Sequence, residues 1–313
     1  MELIRGLHNL RPRHRGCVAT IGNFDGVHLG HKAVLDQLAA KGRELGLPSL
    51  VMIFEPQPQE FFAPEKVPAR LTRMREKLRA LDLDEVDRVL CIRFDASFAR
   101  VSAQDFVQGI LVNGLGVRFV VVGDDFRFGH RREGDFGFLQ AEGQRLGFQV
   151  ARRDTFTLNG ERVSSSRVRA ALERGDLEGA RELLGYVFSM SGRVAQGDKR
   201  GRTIGYPTAN IYLHRRSVAL QGVFAVRVAG VDDQPLPGVA NVGVRPTVDG
   251  GLKVPILEVH LFDFDADIYR RHVRVDFLHR IRDEKRFGSL DELKAQIQID
   301  EAQARLYFRS LNA

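Results

Sequence analysis

The first 185 residues alternate between two hydrophobic patterns, one typical of buried strands and the other of amphipathic helices. Short continuous apolar runs suit strands that are covered on both faces, and they predict strands at 17–21, 49–54, 89–94, 119–123 and 148–151. Apolar positions at helical spacing predict helices at 31–45, from Thr72, from Ser102, and at 136–146, 166–174 and 176–184. Repeated strand–helix units of this kind predict an α/β domain with a parallel, doubly wound sheet.

The pattern changes after residue 185. Strands predicted at 223–228, 239–242, 256–262 and 273–277 follow one another with Gly, Pro and Asp turns and without intervening helices. This arrangement predicts an all-β domain, a small antiparallel β-barrel. A terminal helix is predicted after Ser289, which forms a capping box with Glu292. We place the boundary near Gly185, which gives domains of residues 1–185 and 186–313.

The composition is that of an ordinary folded protein. Of 313 residues, 43% are hydrophobic and 28% are charged, and no apolar run approaches the length needed to cross a membrane. The two cysteines, Cys17 and Cys91, are isolated, which gives no disulfide framework and fits a reducing compartment. The first residues include arginines but no apolar core of a secretion signal. The sequence therefore predicts a cytoplasmic protein with no membrane partner.

The chain is basic, with a net charge of +7. The positive charge is spread over both halves without a basic tail, and no aromatic signature of an RNA-binding module accompanies it. The charge therefore favours anionic ligands in general. No nucleic-acid partner is expected, although a basic nucleic-acid-binding protein is the alternative class of function.

The most informative segment is the turn from Gly22 to His31, between a predicted strand and a predicted helix. Backbone N–H groups at a helix start, with the positive end of the helix dipole, bind phosphate groups. Gly26 and Gly30 allow a ligand to approach the backbone closely, and His28 and His31 are spaced to donate hydrogen bonds to the same phosphate. The alternatives are an internally bonded loop cluster or half of a zinc site, but neither cysteine has the spacing of a zinc ligand.

A second anion site is predicted at the start of the helix near residue 166. Ser165 and Ser166 provide hydroxyl and backbone donors, and Arg169 follows one turn later. Taken alone, this segment is more typical of a serine cap on a basic helix. Together with the histidine turn, it is suited to hold the α-phosphate and the leaving pyrophosphate of a nucleotide. The combination resembles the nucleotidylyltransferase superfamily, which transfers AMP or CMP from a nucleoside triphosphate.

The turn after the predicted strand at 119–123 combines aromatic and charged residues. Phe126 and Phe128 are suited to stack a flat ring system, with Asp125 and Arg127 bonded to its edge. Aromatic residues at such turns more often cover the core of a domain, and this alternative stays open.

The second domain contains a glycine-rich segment and two hard oxygen ligands. Gly192, Gly197 and Gly205 suit backbone amides that wrap a triphosphate, and Thr208 and Asn210 suit Mg²⁺. A glycine-rich hairpin without a ligand has the same composition.

The predicted strand at 256–262 has two different faces. Leu257, Val259 and Leu261 fall on one face, and Glu258, His260 and Phe262 fall on the other, polar face. Glu258 is either a general base that faces a ligand or a solvated carboxylate, which is the usual case on a barrel exterior.

Together, these motifs closely resemble the family of prokaryotic bifunctional riboflavin kinase/FAD synthetases, over essentially the whole chain. The resemblance implies a Rossmann-like nucleotidyltransferase domain that adenylylates FMN with ATP, giving FAD and pyrophosphate. It also implies a barrel that phosphorylates riboflavin with ATP and Mg²⁺, giving FMN and ADP. The residues implied at the first site are the catalytic His28, His31 and Arg169 and the binding residues Gly22, Phe24, Asp25, Gly26, Gly30, Asp125, Arg127, Ser165 and Ser166. Those implied at the kinase site are the base Glu258, the metal ligands Thr208 and Asn210, and the binding residues Gly192, Gly197, Gly205, Arg282, Glu284 and Phe287.

Two positions depart from the family's pattern. Ser166 replaces the usual Thr and keeps the hydroxyl, so little change is expected. Arg270 replaces the usual Gly after Tyr269, which leaves the geometry of that turn open.

Several lookalike motifs do not support other functions. Residues 135–137 read DFG, but the other protein-kinase motifs are missing, and 263–267 begins like a calcium loop without its glycine. No Walker A sequence is present. The rival interpretation is a degenerate nucleotidyltransferase that binds nucleic acid, and such a protein has no need of His28, His31, Asn210 and Glu258 together.

Overall fold

The computed structural model describes residues 1–195, 206–246 and 253–311. The chain divides into two compact units, one of Met1–Pro68 with Thr72–Ser164 and the other of Ala69–Leu71 with Ser165–Ala313. The expected domain boundary near Gly185 stays a prediction. Among the described residues, no helix combines the length and the apolar character needed to cross a membrane.

The first unit is built on a fully parallel sheet whose strands alternate with helices, as predicted. Its strands are β1 (Glu2–Arg5), β2 (Cys17–Ile21), β3 (Ser49–Glu55), β4 (Arg88–Arg93), β5 (Val117–Gly123) and β6 (Gln149–Arg153), in the order β1-β4-β3-β2-β5-β6. Its α-helices are α1 (Leu29–Leu45), α2 (Pro58–Phe62), α3 (Met74–Leu83), α4 (Ala103–Asp105) and α5 (Phe136–Leu146). A short hairpin of β7 (Thr157–Leu158) and β8 (Glu161–Arg162) ends the unit.

The strand order places a crevice beside β2. From β2 the sheet grows through β3 and β4 on one side, and the chain then returns to the other side of β2 to form β5. Thr20 lies beside Val121 in the register of β2 and β5. Ligands of doubly wound sheets bind beyond the carboxyl ends of the strands where the order reverses. The turns that follow β2 and β5 both lie at this edge.

Helix packing follows the predicted pattern, with two local differences. In α1, Leu35 and Leu38 are buried, but Leu45 is 39% exposed because the helix ends there, at a left-handed Gly46. The helix capped by Ser102 begins as α4 and continues from Phe106 as a π-helix.

The second unit contains two helices followed by a closed antiparallel barrel, which confirms the predicted all-β architecture. The helices are α6 (Ser165–Glu173) and α7 (Leu177–Leu184). The barrel strands are β9 (Ser189–Ala195), β10 (Ala209–Tyr212), β11 (Gly222–Ala229), β12 (Leu236–Pro246), β13 (Lys253–Leu261) and β14 (His272–Arg282), in the order β10-β13-β12-β11-β14-β9. The hydrophobic pattern did not predict β9 and β10, because this part of the chain is rich in glycine.

The terminal helix α8 (Leu290–Ser310) covers part of the barrel exterior. Its predicted cap is confirmed, since the Ser289 side chain accepts a hydrogen bond from the Glu292 N–H. Along the helix, Leu290 is 67% exposed, whereas Asp300 and Ala304 are buried. Phe262, expected on the polar face of its strand, is buried because Phe308 of α8 packs against it.

Candidate active sites

The turn between β2 and α1 holds the two histidines side by side. The backbone bends sharply, with positive φ angles at Phe24, Gly26 and Val27. His28 is the N-cap of α1, and its Nδ1 accepts a hydrogen bond from the His31 N–H at 3.3 Å. The two imidazole rings stack with their centroids 3.7 Å apart. The two side chains therefore lie close together, and their hydrogen bonds to a shared phosphate stay a prediction.

His31 is held in a neutral form. Burial lowers the pKa of His31 well below its ordinary value of 6.5, and the charges of His28 and Lys77 act in the same direction. Lys77, on α3, is itself fully buried. The Nδ1 atom of His31 is buried and has no hydrogen-bond partner among the described residues. A neutral imidazole with an unpartnered ring nitrogen is suited to bond a polar ligand.

Phe24 and Asp25 are buried, and their contacts stabilise the turn between β2 and α1. The Phe24 ring lies 4.9 Å from the His31 ring. Asp25 accepts hydrogen bonds from the N–H and the hydroxyl of Thr72, and the same hydroxyl accepts one from the Gly26 N–H at 3.0 Å. No local sequence motif marks Thr72 as part of this turn. Nucleotide contacts of Phe24, Asp25 and Gly26 stay predictions.

The two outer glycines of the turn are tightly packed. A methyl group at Gly22 would lie 3.2 Å from the Phe24 ring. At Gly30 it would lie 3.1 Å from the His28 ring and 3.3 Å from the Val163 carbonyl. Close packing therefore explains why neither position carries a side chain. The contacts of both glycines with ATP stay predictions.

The predicted serine–arginine site lies in the second unit. Ser165 is the first residue of α6, Ser166 is exposed, and Arg169 is half-buried on the same helix. The Arg169 Nε donates a hydrogen bond to the Ala69 carbonyl at 2.7 Å. The role of these three residues in ATP binding stays a prediction.

In the turn after β5, the two charged residues that were predicted to bind a ligand have partners within the protein. Asp125 pairs with Arg162 at 2.8 Å, and Arg127 pairs with Asp135 at 2.9 Å. Asp135 is also the N-cap of α5, which explains the DFG lookalike as a helix start. Ligand contacts of Asp125 and Arg127 stay predictions.

The aromatic residues near this edge form a continuous array. Phe128 is buried and stacks on Phe126 with 5.3 Å between ring centroids. Phe128 therefore covers the core, as the alternative interpretation proposed. Ring contacts continue through Phe106 and Phe98 to Phe94 and then to Phe62, which is 66% exposed. The array thus runs from the core to the surface of the first unit.

In the barrel, three polar residues form a row across adjacent strands. Asn210 of β10 is the register partner of Glu258 of β13, and Glu258 is the partner of Asn241 of β12. Register partners point to the same side of a sheet, roughly 5 Å apart at Cβ. Because Leu257 and Val259 fill the barrel interior, this row lies on the outer face. Asn241 was missed as a site residue, since only the strand register brings it to Glu258.

Glu284 joins this row from the segment after β14. Its carboxylate is hydrogen-bonded to Asn241, and a methyl group at Gly243 would overlap it. Partial burial raises the pKa of Glu284, the nearby Glu258 acts in the same direction, and Asn241 and Arg282 oppose them. The structure therefore brings the predicted Glu258, Glu284 and Asn210 to one face of the barrel.

Arg282 is bound to the terminal helix. Its Nε and Nη2 donate to the two carboxylate oxygens of Asp300 at 2.9 and 2.7 Å. Its guanidinium lies 5.7 Å from the centre of the Phe287 ring. Ligand contacts of Arg282 and Phe287 stay predictions, and Asp300 is a residue that sequence analysis missed.

A cleft of about 170 Å³ lies next to the predicted metal ligand Thr208. Its other lining residues include Pro207, Val194, Asp267 and Tyr269. Thr208 is exposed and directly precedes β10, whose second residue is Asn210. Within residues 1–195, 206–246 and 253–311, no group of three or more His, Cys, Asp or Glu side chains is placed to hold a metal ion. The roles of Thr208 and Asn210 as metal ligands stay predictions.

The predicted glycines of the kinase site have different outcomes. A side chain at Gly192 would collide with the Tyr212 carbonyl of β10, so this glycine allows β9 and β10 to approach closely. Its contact with a triphosphate stays a prediction. Gly197 and Gly205 lie outside the described residues.

The turn that carries Arg270 keeps a left-handed conformation without glycine. Arg270 has a φ of 67°, and its N–H donates to the Val194 carbonyl at 2.9 Å. The substitution noted in the sequence therefore leaves the turn formed, at the cost of backbone strain.

Comparisons with known proteins place the chain in a family. The FAD synthetase family model matches residues 10–167, and the riboflavin kinase family model matches residues 184–308. Bifunctional riboflavin kinase/FMN adenylyltransferases of Escherichia coli (strain K12) and Pseudomonas fluorescens are 55% and 54% identical to it, over 98% and 97% of both chains respectively.

A solved structure supports the same fold. The crystal structure of a macrolide-efflux protein from Streptococcus pneumoniae matches with a TM-score of 0.83 and 30% identity, over 97% of this chain and 99% of that chain. The chain belongs to the family of bifunctional riboflavin kinase/FMN adenylyltransferases, with the FAD synthetase domain before the riboflavin kinase domain.

Proposed function

We propose that this chain makes FAD from riboflavin in two ATP-dependent steps. The barrel transfers the γ-phosphate of ATP to the 5′-hydroxyl of riboflavin, giving FMN and ADP. The first domain transfers AMP from a second ATP to the FMN phosphate, giving FAD and pyrophosphate. The observation that carries the proposal is the row of Asn210, Glu258 and Asn241 on the barrel exterior, in a chain of this family.

In the kinase step, Glu258 is the general base. Its carboxylate accepts the proton of the riboflavin 5′-hydroxyl as the oxygen attacks the γ-phosphate. We assign ATP to the cleft beside Thr208, because a phosphate chain there is next to the start of β10. Thr208 and Asn210 hold Mg²⁺, which neutralises charge on the phosphates.

In the adenylyltransferase step, positioning and charge stabilisation replace covalent catalysis. An oxygen of the FMN phosphate attacks the α-phosphate of ATP, and pyrophosphate leaves in line. His28 and His31 donate hydrogen bonds to the charge that develops there. Ser165, Ser166 and Arg169 contact the ATP phosphates. The aromatic array with the exposed Phe62 supports stacking of the flavin ring in the first domain.

The remaining parts of the proposal concern partners and location. The partners are riboflavin, FMN, FAD, ATP, ADP and pyrophosphate, with no nucleic acid. Because both steps consume ATP, we expect the enzyme to work in the cytoplasm.

The kinase assignment is tested by Glu258→Gln, which keeps the side-chain shape and removes the proton acceptor. With riboflavin, ATP and Mg²⁺, we expect FMN formation to fall by roughly 100-fold or more. With FMN supplied instead of riboflavin, FAD formation should match the parent, which provides a control within the same molecule. Product analysis by chromatography measures both.

Two outcomes would contradict the proposal. Full kinase activity of the variant would show that Glu258 is a solvated carboxylate. A parent protein that forms neither FMN nor FAD would favour the nucleic-acid-binding alternative.

A further inference from the structure

Asp300 is an unusual residue for its position. It lies in the middle of α8, where Asp is a poor helix former, and it is 3% exposed. A buried carboxylate is tolerated only when partners replace its hydration. Its partners are the Arg282 guanidinium, in a two-pronged ion pair, and the Gln296 side-chain amide at 3.0 Å.

The ion pair lies at the point where the chain leaves the barrel. Arg282 is the last residue of β14, and residues 283–286 are exposed and have no regular secondary structure. Glu284 nevertheless has a defined place on Asn241 and above Gly243. Two contacts therefore hold this segment. One is the ion pair between Arg282 and Asp300 at its start, and the other is the hydrogen bond between Glu284 and Asn241.

The geometry of Arg282 leaves little of its side chain for a ligand. Nε and Nη2 are directed to Asp300, and Nη1 donates to the Asp283 carbonyl at 2.8 Å. A guanidinium held in this way fixes the backbone that follows it.

We propose that Asp300 is a positioning residue for the riboflavin kinase reaction, which holds Arg282 so that Glu284 lies on Asn241 beside Glu258. The terminal helix is then part of the kinase site without touching the substrate. Arg282 acts through this ion pair rather than by direct contact with the flavin. This inference rests on the proposed kinase function of the barrel.

The test is a set of single and double variants in the full-length protein. Asp300→Asn should raise the KM for riboflavin by about 10-fold, while the KM for ATP changes by less than about 2-fold. FAD formation from supplied FMN should equal that of the parent. The matched control is Glu301→Gln, which removes the Glu301–Arg305 ion pair from the next position of the same helix. It should leave both KM values unchanged.

A double-mutant cycle separates positioning from direct contact. If Arg282 acts through Asp300, Arg282→Lys should add less than about 2-fold to the effect of Asp300→Asn, because the pair is already broken. Independent, multiplying effects would show that Arg282 contacts riboflavin itself and would overturn the inference. Unchanged riboflavin KM in Asp300→Asn would overturn it as well.

A second variant keeps the test decisive if Asp300→Asn fails to fold. Gly243→Ala displaces the Glu284 carboxylate and leaves α8 untouched. It should raise the riboflavin KM in the same way, and an unchanged KM would contradict the placement of Glu284. A parent without riboflavin kinase activity would instead refute the proposed function, so the two failures are distinguishable.

Discussion

At the scale of single residues, His28 combines a structural task with a proposed chemical one. Its Nδ1 accepts the hydrogen bond of the His31 N–H, so a neutral His28 carries its proton on Nε2. The Nε2–H group is then the atom that can donate to a phosphate. The cap that fixes the start of α1 therefore also fixes the tautomer of a proposed catalytic side chain.

The two tasks of His28 can be separated by substitution. Asn is a good N-cap residue, so His28→Asn should keep the start of α1 while removing the imidazole. We expect FAD formation from FMN to fall by about 100-fold, with little loss of stability. His28→Ala should lose the cap as well, and with it about 1 kcal/mol of unfolding free energy. Steady-state assays and thermal unfolding measure the two effects.

Riboflavin phosphorylation is the control for both variants. It should continue at the parental rate, so FMN should accumulate when riboflavin is the substrate. Normal FAD formation in His28→Asn would show that the imidazole is not part of the site.

At the scale of elements, the turn between β13 and β14 shows why glycine is usual in the family at the position of Arg270. Arg270 adopts a positive φ that glycine adopts without steric cost. The same turn lines the cleft through Asp267, Ile268 and Tyr269, so its shape has to be kept. The hydrogen bond from the Arg270 N–H to Val194 accounts for its persistence.

Arg270→Gly should therefore stabilise the second unit. Relief of the left-handed conformation outweighs the larger entropy of glycine in the unfolded chain, and we expect a gain of about 0.5–1 kcal/mol in unfolding free energy. The chain has no Trp, and all five Tyr lie between residues 186 and 307. Tyrosine fluorescence during urea unfolding consequently reports on this unit.

Gly230→Ala adds a side chain at a left-handed position instead of removing one, and it serves as the control. Gly230 has a φ of 91°, and a methyl group there would lie 2.8 Å from the His272 carbonyl. It should destabilise the same unit. Equal urea midpoints for Arg270→Gly and the parent would show that the turn is not strained.

At the scale of the whole molecule, the helices that follow the first unit are packed with the barrel. Arg280 of β14 donates a hydrogen bond to the Arg174 carbonyl at 2.8 Å, and its side chain lies against Gly175. The segment Ala69–Leu71 groups with the same unit, and its carbonyls accept hydrogen bonds from Arg169 and Arg215.

These contacts predict an order of stability for the barrel in different lengths of chain. The full chain should be the most stable, a fragment of residues 165–313 less so, and a fragment of residues 186–313 the least, because each loses further packed contacts. Each of the two fragments, if it folds, should phosphorylate riboflavin and form no FAD. Tyrosine fluorescence and product analysis measure the two properties. Equal stability of the two fragments would favour a boundary near Gly185.

The sequence by itself determined the features that depend on neighbouring residues. Apolar spacing predicted the parallel sheet and the barrel, and the caps at Ser102 and Ser289 were read from positions three residues apart. The proximity of His28 and His31 was also predictable, because residues three apart at a helix start are neighbours.

Only the tertiary structure decided which distant residues meet. Asn241 reaches Glu258 because β12 and β13 pair in one register, and a shift by one residue would turn it to the other face. Asp300 reaches Arg282 because α8 covers the barrel exterior, and the same packing buries Phe262 on a face that looked polar. The hydrophobic pattern of a segment shows only which of its residues lie on the apolar face and which lie on the polar face. Strand register and the element that covers a face are set by the packing of the whole barrel, and they determine which polar side chains share a site.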